Sequence, residues 1–112
     1  MNTKINDETF SNLLDYVENA VRTQTSPKRN ATLGVLTRLF DCWGMYIPYV
    51  ETILVNPVGT LAEDAWVYLH EAGHWAIDKN GIKTFEADEE QVCNDIAFII
   101  MDRLGEDLYR FI

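Results

Sequence analysis

Proline, glycine and cysteine are all scarce in this 112-residue chain, with three, six and two residues respectively. So little proline and glycine excludes a collagen-like repeat and a flexible low-complexity protein. The two cysteines, Cys42 and Cys93, lie far apart and form no CxxC pair, which excludes a disulfide-stapled scaffold. They read as free, buried thiols in a reducing compartment. Basic side chains are few as well: 9 against 18 acidic ones, for a formal charge of −9. Such a surface repels phosphate backbones and anionic lipid, so neither nucleic acid nor a membrane is expected as a partner. The one basic cluster, Lys28-Arg29, follows Pro27 and reads as a solvated linker. Long apolar runs are missing too. The longest, Ile96-Ala97-Phe98-Ile99-Ile100-Met101, falls far short of the ~20 residues that a membrane span requires. The first eight residues lack the apolar segment and cleavage pattern of a secretory signal. Together these absences predict a cytoplasmic location.

What is present is ordinary globular composition, with 47% hydrophobic and 24% charged residues. The length suits one domain over residues 1–112, without a second core. Phe10, Leu13, Leu14, Val17, Ala20 and Val21 recur at helical spacing and predict a helix over 7–22. Ser26-Pro27 breaks the pattern. A second helix is expected over 30–43, with Leu33, Leu36, Leu39 and Phe40 on one side and Gly44 as its stop. From 45 to 55 the residues turn β-branched and aromatic and predict one or two strands, the firmer at 52–56, interrupted by Pro48. Asn56-Pro57-Val58-Gly59 reads as a turn.

Thr60 and Glu63 then match a capping box, the start of a helix that should run to about Asp78 and stop at Lys79-Asn80-Gly81. Ala62, Trp66, Leu69, Gly73 and Ala76 or Ile77 form its core stripe, with Gly73 allowing another backbone to approach closely. A short extended piece at 82–85, with Phe85 in the core, leads to a last helix over 87–104 with an acidic start. The order of elements predicts an α+β domain, mainly helical, with a short hairpin or small sheet packed on the 60–78 helix.

That helix carries His70-Glu71-Ala72-Gly73-His74, an HExxH motif. Residues i and i+4 lie one turn apart on one face, so both imidazoles can bind a single tetrahedral zinc ion. Glu71 sits about a quarter turn round, placed to take a proton from a metal-activated water rather than to bind the metal. The five letters alone are weakly specific. Here uncharged Ala72 and Gly73 lie inside the motif, apolar flanks surround it, and it uses the chain's only two histidines. A third protein ligand is needed, leaving one position open. The carboxylates of the last helix supply the candidates Glu86, Glu89, Glu90 and Asp95.

HExxH followed by a helix that bears a glutamate resembles the glutamate-zincin arrangement. The stretch Glu89-Glu90-Gln91-Val92-Cys93-Asn94-Asp95-Ile96-Ala97-Phe98 resembles the Glu-x-x-Ala-Asn-x-Phe-Ala type of segment in ImmA/IrrE-like metallopeptidases. The resemblance spans roughly residues 52–101 and implies a minimal zincin-like fold. It puts the third ligand on Glu90, ahead of Glu89, with Asn94 one turn later as a partner behind the ligands. It implies an edge strand at 52–55 that pairs with an extended peptide or protein substrate. It also implies peptide-bond hydrolysis with Glu71 as general base, in a regulatory role of the kind found in phages and mobile elements. Two readings of other classes remain beside it: a zinc-containing binding module without turnover, and a helical interaction protein with a chance HExxH. Tyr46, Tyr49 and Tyr68 are candidate oxyanion donors, though aromatic packing explains each as well.

Overall fold

Asn6 starts the first helix by accepting the Thr9 amide on its side chain at 2.8 Å, and Asp7 and Glu8 sit at the positive helix end. This helix, α1 (Asp7–Arg22), buries Leu13, Leu14, Val17, Ala20 and Val21, as its spacing predicts. The computed structural model describes residues 3–30, 32–57 and 59–112. Met1 and Asn2 of the N-terminal stretch, Ala31 of the expected second helix and Val58 of the expected turn lie outside the described residues.

The helix expected over 30–43 does not form. Its place is taken by a 3-10 helix at Leu33–Arg38 followed by turns. Packing explains the difference. Gly34 presses its backbone onto β2 (Thr52–Val55), where an added Cβ would meet the Val55 carbonyl oxygen at 2.6 Å. Thr37, fully buried, returns its hydroxyl to the Gly34 carbonyl at 2.8 Å. The buried positions are thus the small ones, three apart. Leu33, Leu39 and Phe40, read as an inward stripe, are exposed.

β1 (Gly44–Ile47) and β2 form an antiparallel hairpin in which Tyr46 faces Ile53 and Gly44 faces Val55. Gly44 is therefore the first residue of a strand and not a helix stop. Pro48 opens the connection as the first residue of a short 3-10 turn, Pro48–Val50, which Glu51 closes in the left-handed region. β2 is not the edge. On its far side Ile53 exchanges backbone hydrogen bonds with the 28–30 segment, donating to the Lys28 carbonyl and accepting from the Asn30 amide. The edge strand is β1, which lies against the HExxH helix.

That helix is α2 (Leu61–Lys79). Its N-cap is Thr60, whose hydroxyl accepts the Glu63 amide at 3.2 Å and donates to the Glu63 carboxylate at 3.0 Å. Gly81, at φ +63°, ends the turn that follows. α2 is the centre of the molecule and packs on α1, on both strands and on α3 (Glu86–Leu104). Leu69, Gly73, Ala76 and Ile77 are buried as expected, Trp66 is half-buried, and Ala62 is exposed, one turn too early to reach the core. Residues 82–85 form no strand, and Phe85 is exposed rather than in the core. A short turn leads to α4 (Leu108–Phe111).

The α2–α3 contact depends on Gly73. A Cβ there would lie 2.9 Å from Cys93 Sγ and 3.2 Å from Cys93 Cα, so only glycine permits this approach. Below it Cys93, Ile96, Ala97, Ile100 and Leu104 close the core. Each large side chain so buried contributes about 1.5–3 kcal/mol. The result is a mainly helical α+β domain with one small antiparallel sheet on its HExxH helix. Among the described residues, no helix is long and apolar enough to cross a membrane.

Candidate metal centre

His70 and His74 project from one face of α2, and their rings lie edge-on with centroids 5.0 Å apart. The close approach at Gly73 and Cys93 brings the first turns of α3 alongside. Glu90 then reaches between the two imidazoles. Its Oε1 lies 2.9 Å from His74 Nε2, and its Oε2 lies 3.1 Å from His70 Nε2. One donor atom from each of these three residues lies within 4.8 Å of the others. Two metal–nitrogen bonds of 2.0–2.1 Å at a tetrahedral angle separate their donors by about 3.4 Å, so small side-chain adjustments suffice to close round one ion. Two imidazole nitrogens and a carboxylate oxygen are a donor set suited to zinc. The residues present fit the metal that HExxH implies.

Of the other acidic candidates, Glu89 is close but turned elsewhere. Its Oε2 lies 2.5 Å from Nδ1 of His74, the ring nitrogen that faces away from Glu90. Asp95 accepts a hydrogen bond from the Gln91 amide at 2.9 Å, and Glu86 is exposed at the helix start; neither joins the cluster. Asn94, one turn after Glu90, faces His70. On its other side His70 stacks on Trp66, with centroids 5.3 Å apart at 25°, and Trp66 meets Phe98 edge-on.

Burial sets the electrostatics. His70 is 8% exposed and Glu71 9%. Desolvation, helped by the nearby His74, holds the His70 pKa below its ordinary value and so favours the neutral imidazole that binds metals. Glu71 is pushed up to about 7, chiefly by desolvation. His74 pulls it back, Glu90 pushes it further, and the backbone N–H of Tyr46 donates to its carboxylate. That last contact follows from the hairpin register. The Asn56 amide bonds the Trp43 carbonyl, which leaves the backbone groups of Gly44 and Tyr46 pointing outward from the sheet. Gly44 also has no room for a side chain, since a Cβ would meet Val67 and the Glu71 Cγ. The edge strand therefore lies directly on the candidate base.

A cleft of about 490 Å3 opens beside His74 and Glu71. Tyr46, Ile77, Asp78, Lys83 and Thr84 line it further out. The Tyr46 hydroxyl hydrogen-bonds Asp78 at 3.3 Å, and its pKa is raised to about 12, first by burial and then by the Asp78 charge. Tyr49 is 99% exposed, and the buried Tyr68 donates to the Pro27 carbonyl at 2.6 Å, well away from the cleft. Of the three tyrosines only Tyr46 stands at the site. Trp75, beside His74 in sequence, is a core residue that packs on Tyr16.

Sequence reasoning missed the Tyr46 amide and Gly44, because both depend on which edge of the hairpin meets α2. The β-branched and aromatic residues from 45 onward carried a strand signal, but nothing there marks an edge. No protein-family model matches the chain, and no curated protein or solved structure is significantly similar to it.

Proposed function

We propose that the protein is a small zinc-dependent metallopeptidase-like domain in which His70, His74 and Glu90 hold the ion and Glu71 is the general base. The observation that carries this reading is the convergence of Glu90, from a second helix, on both Nε2 atoms of the HExxH histidines. A bound zinc ion supplies Lewis acidity, lowering the pKa of water toward neutrality and polarising a carbonyl.

The chain's own residues do the rest. Glu71, buried beside the two histidines, accepts the water's proton and passes it to the leaving amine. The Tyr46 amide fixes its carboxylate, and the α2 backbone holds it one residue from His70. The substrate is a peptide or protein segment that lies in the cleft beside β1, whose Tyr46 lines it. The likeness of the α3 segment to ImmA/IrrE-like metallopeptidases supports regulatory cleavage of another cytosolic protein, as in a phage or mobile-element setting.

The test has two stages. Purified wild type should take up one equivalent of zinc, and His74→Ala should lose it; a wild type without zinc uptake defeats the reading. Glu71→Gln should then keep zinc while peptide hydrolysis falls by about 100- to 10,000-fold. Zinc uptake with no hydrolysis by the wild type would leave a binding module in place of an enzyme.

A further inference from the structure

The adjacent pair Glu89-Glu90 occupies both sides of one imidazole. Glu90 faces Nε2 of His74 at 2.9 Å, and Glu89 faces Nδ1 at 2.5 Å. We propose that Glu89 is a positioning residue that holds His74 in its Nδ1–H tautomer, leaving the Nε2 lone pair free for the metal. The inference rests on the metal-centre reading above and adds a residue that the ligand set does not include.

Three observations carry it. The contact pairs a ring nitrogen with a carboxylate oxygen, and both groups are partly shielded, with side chains 17% and 29% exposed. Glu89 also lies one turn before Cys93, whose Cα and Sγ press on the backbone of Gly73. Gly73 is the neighbour of His74, so this close approach of the two helices holds Glu89 opposite the ring. Finally, the donor atoms that can share one ion belong to His70, His74 and Glu90 and not to Glu89. Glu89 is thus left to accept a proton bond from a ligand rather than to become one. A histidine that donates its second N–H to a carboxylate is held in orientation and made a stronger ligand, an effect worth about 10- to 100-fold in metal affinity. His70 has no such carboxylate: its Nδ1 is buried without a hydrogen-bond partner among the described residues.

The experiment measures zinc affinity by chelator competition for wild type, Glu89→Ala and Glu89→Gln, with metal-free melting temperatures as a check on folding. Nitrogen-15 NMR of the His74 ring in the zinc-loaded wild type runs alongside. Glu89→Ala should bind zinc about 10- to 100-fold more weakly at an unchanged metal-free melting temperature. Glu89→Gln, whose amide oxygen can still accept the Nδ1 proton, should recover most of the loss. The wild-type spectrum should show a protonated, solvent-protected Nδ1. Equal zinc affinity in wild type and Glu89→Ala, or an unprotonated Nδ1, overturns the inference and leaves the metal centre standing. A wild type that takes up no zinc overturns both. Should Glu89→Ala fail to fold, Glu89→Ser, too short to reach the ring, takes its place with the same expected loss of zinc affinity and the same overturning result.

Discussion

Along α2 and α3 most large apolar side chains point inward: Leu69, Ile96 and Ile100 are fully buried, and Leu61 and Phe98 are the exposed exceptions. In the 33–50 segment the arrangement is reversed. Leu39, Phe40, Trp43 and Tyr49 lie 62–99% exposed, while the buried positions are Gly34 and Thr37. The two regions touch through α2 and the hairpin, yet they are held together by different means. The helix pair is bound by apolar area and by one close backbone approach. The 33–50 segment is held by backbone contact with β2 and by a buried hydroxyl. The first arrangement gives the rigid placement a metal centre needs; the second leaves a strand edge lying on that centre.

Three substitutions sharpen this contrast, from the largest effect to the smallest. Gly73→Val should cost about 3 kcal/mol, because the new side chain drives into Cys93 where α2 and α3 approach closely. Zinc affinity should fall with it, as Glu90 moves away from the histidines. A urea titration and a chelator competition on the same sample would show both. An unchanged midpoint would mean that the helices can separate there at no cost, contrary to the packing described.

The second probe uses pH. Glu71 has an ordinary pKa of 4.5 and is raised to about 7 in the fold, so the folded state keeps a proton that the unfolded chain releases. Its stabilisation of the metal-free protein is full below pH 4.5 and is lost as pH rises through 7, an effect of about 3 kcal/mol. His70 acts in the opposite sense. Its pKa is lowered below 6.5, so its contribution is present above 6.5 and is lost as pH falls through the lowered value. Glu71→Gln separates the two. The stability of wild type relative to Glu71→Gln should decline between pH 5 and pH 8, measured by chemical denaturation without metal. A difference that stays flat or rises would show that Glu71 is not desolvated. At the small end, Leu39→Ser, at a side chain 79% exposed, should change the urea midpoint by no more than about 0.5 kcal/mol equivalent. A larger loss would mean that the 33–50 segment depends on its apolar residues after all.

Much of α1 and α3 was legible because one face of each is buried against a neighbour and the periodicity records that face; α2, buried on all sides over 67–73, was legible from its capping box and its stop at Gly81. The expected bounds 7–22, 60–78 and 87–104 compare with Asp7–Arg22, Leu61–Lys79 and Glu86–Leu104. The 30–43 stretch misled for the converse reason. Leu33, Leu36, Leu39 and Phe40 look like a core stripe only if large residues face inward, and here a glycine and a threonine do. Likewise the 52–55 strand was legible as a strand but not as an inner one, since pairing with residues 28–30 leaves no mark on alternation.

The sequence by itself determined the spacing of His70, Glu71 and His74, because helical geometry places i and i+4 on one face wherever the helix packs. It also supplied two adjacent acids, Glu89 and Glu90, at the start of another helix. Which of them meets the histidines' Nε2 atoms, and which backs His74 from behind, only the tertiary structure decided. That choice depends on the depth and rotation at which α3 settles on α2, set by Gly73 against Cys93, a contact between residues twenty apart that neither local pattern encodes.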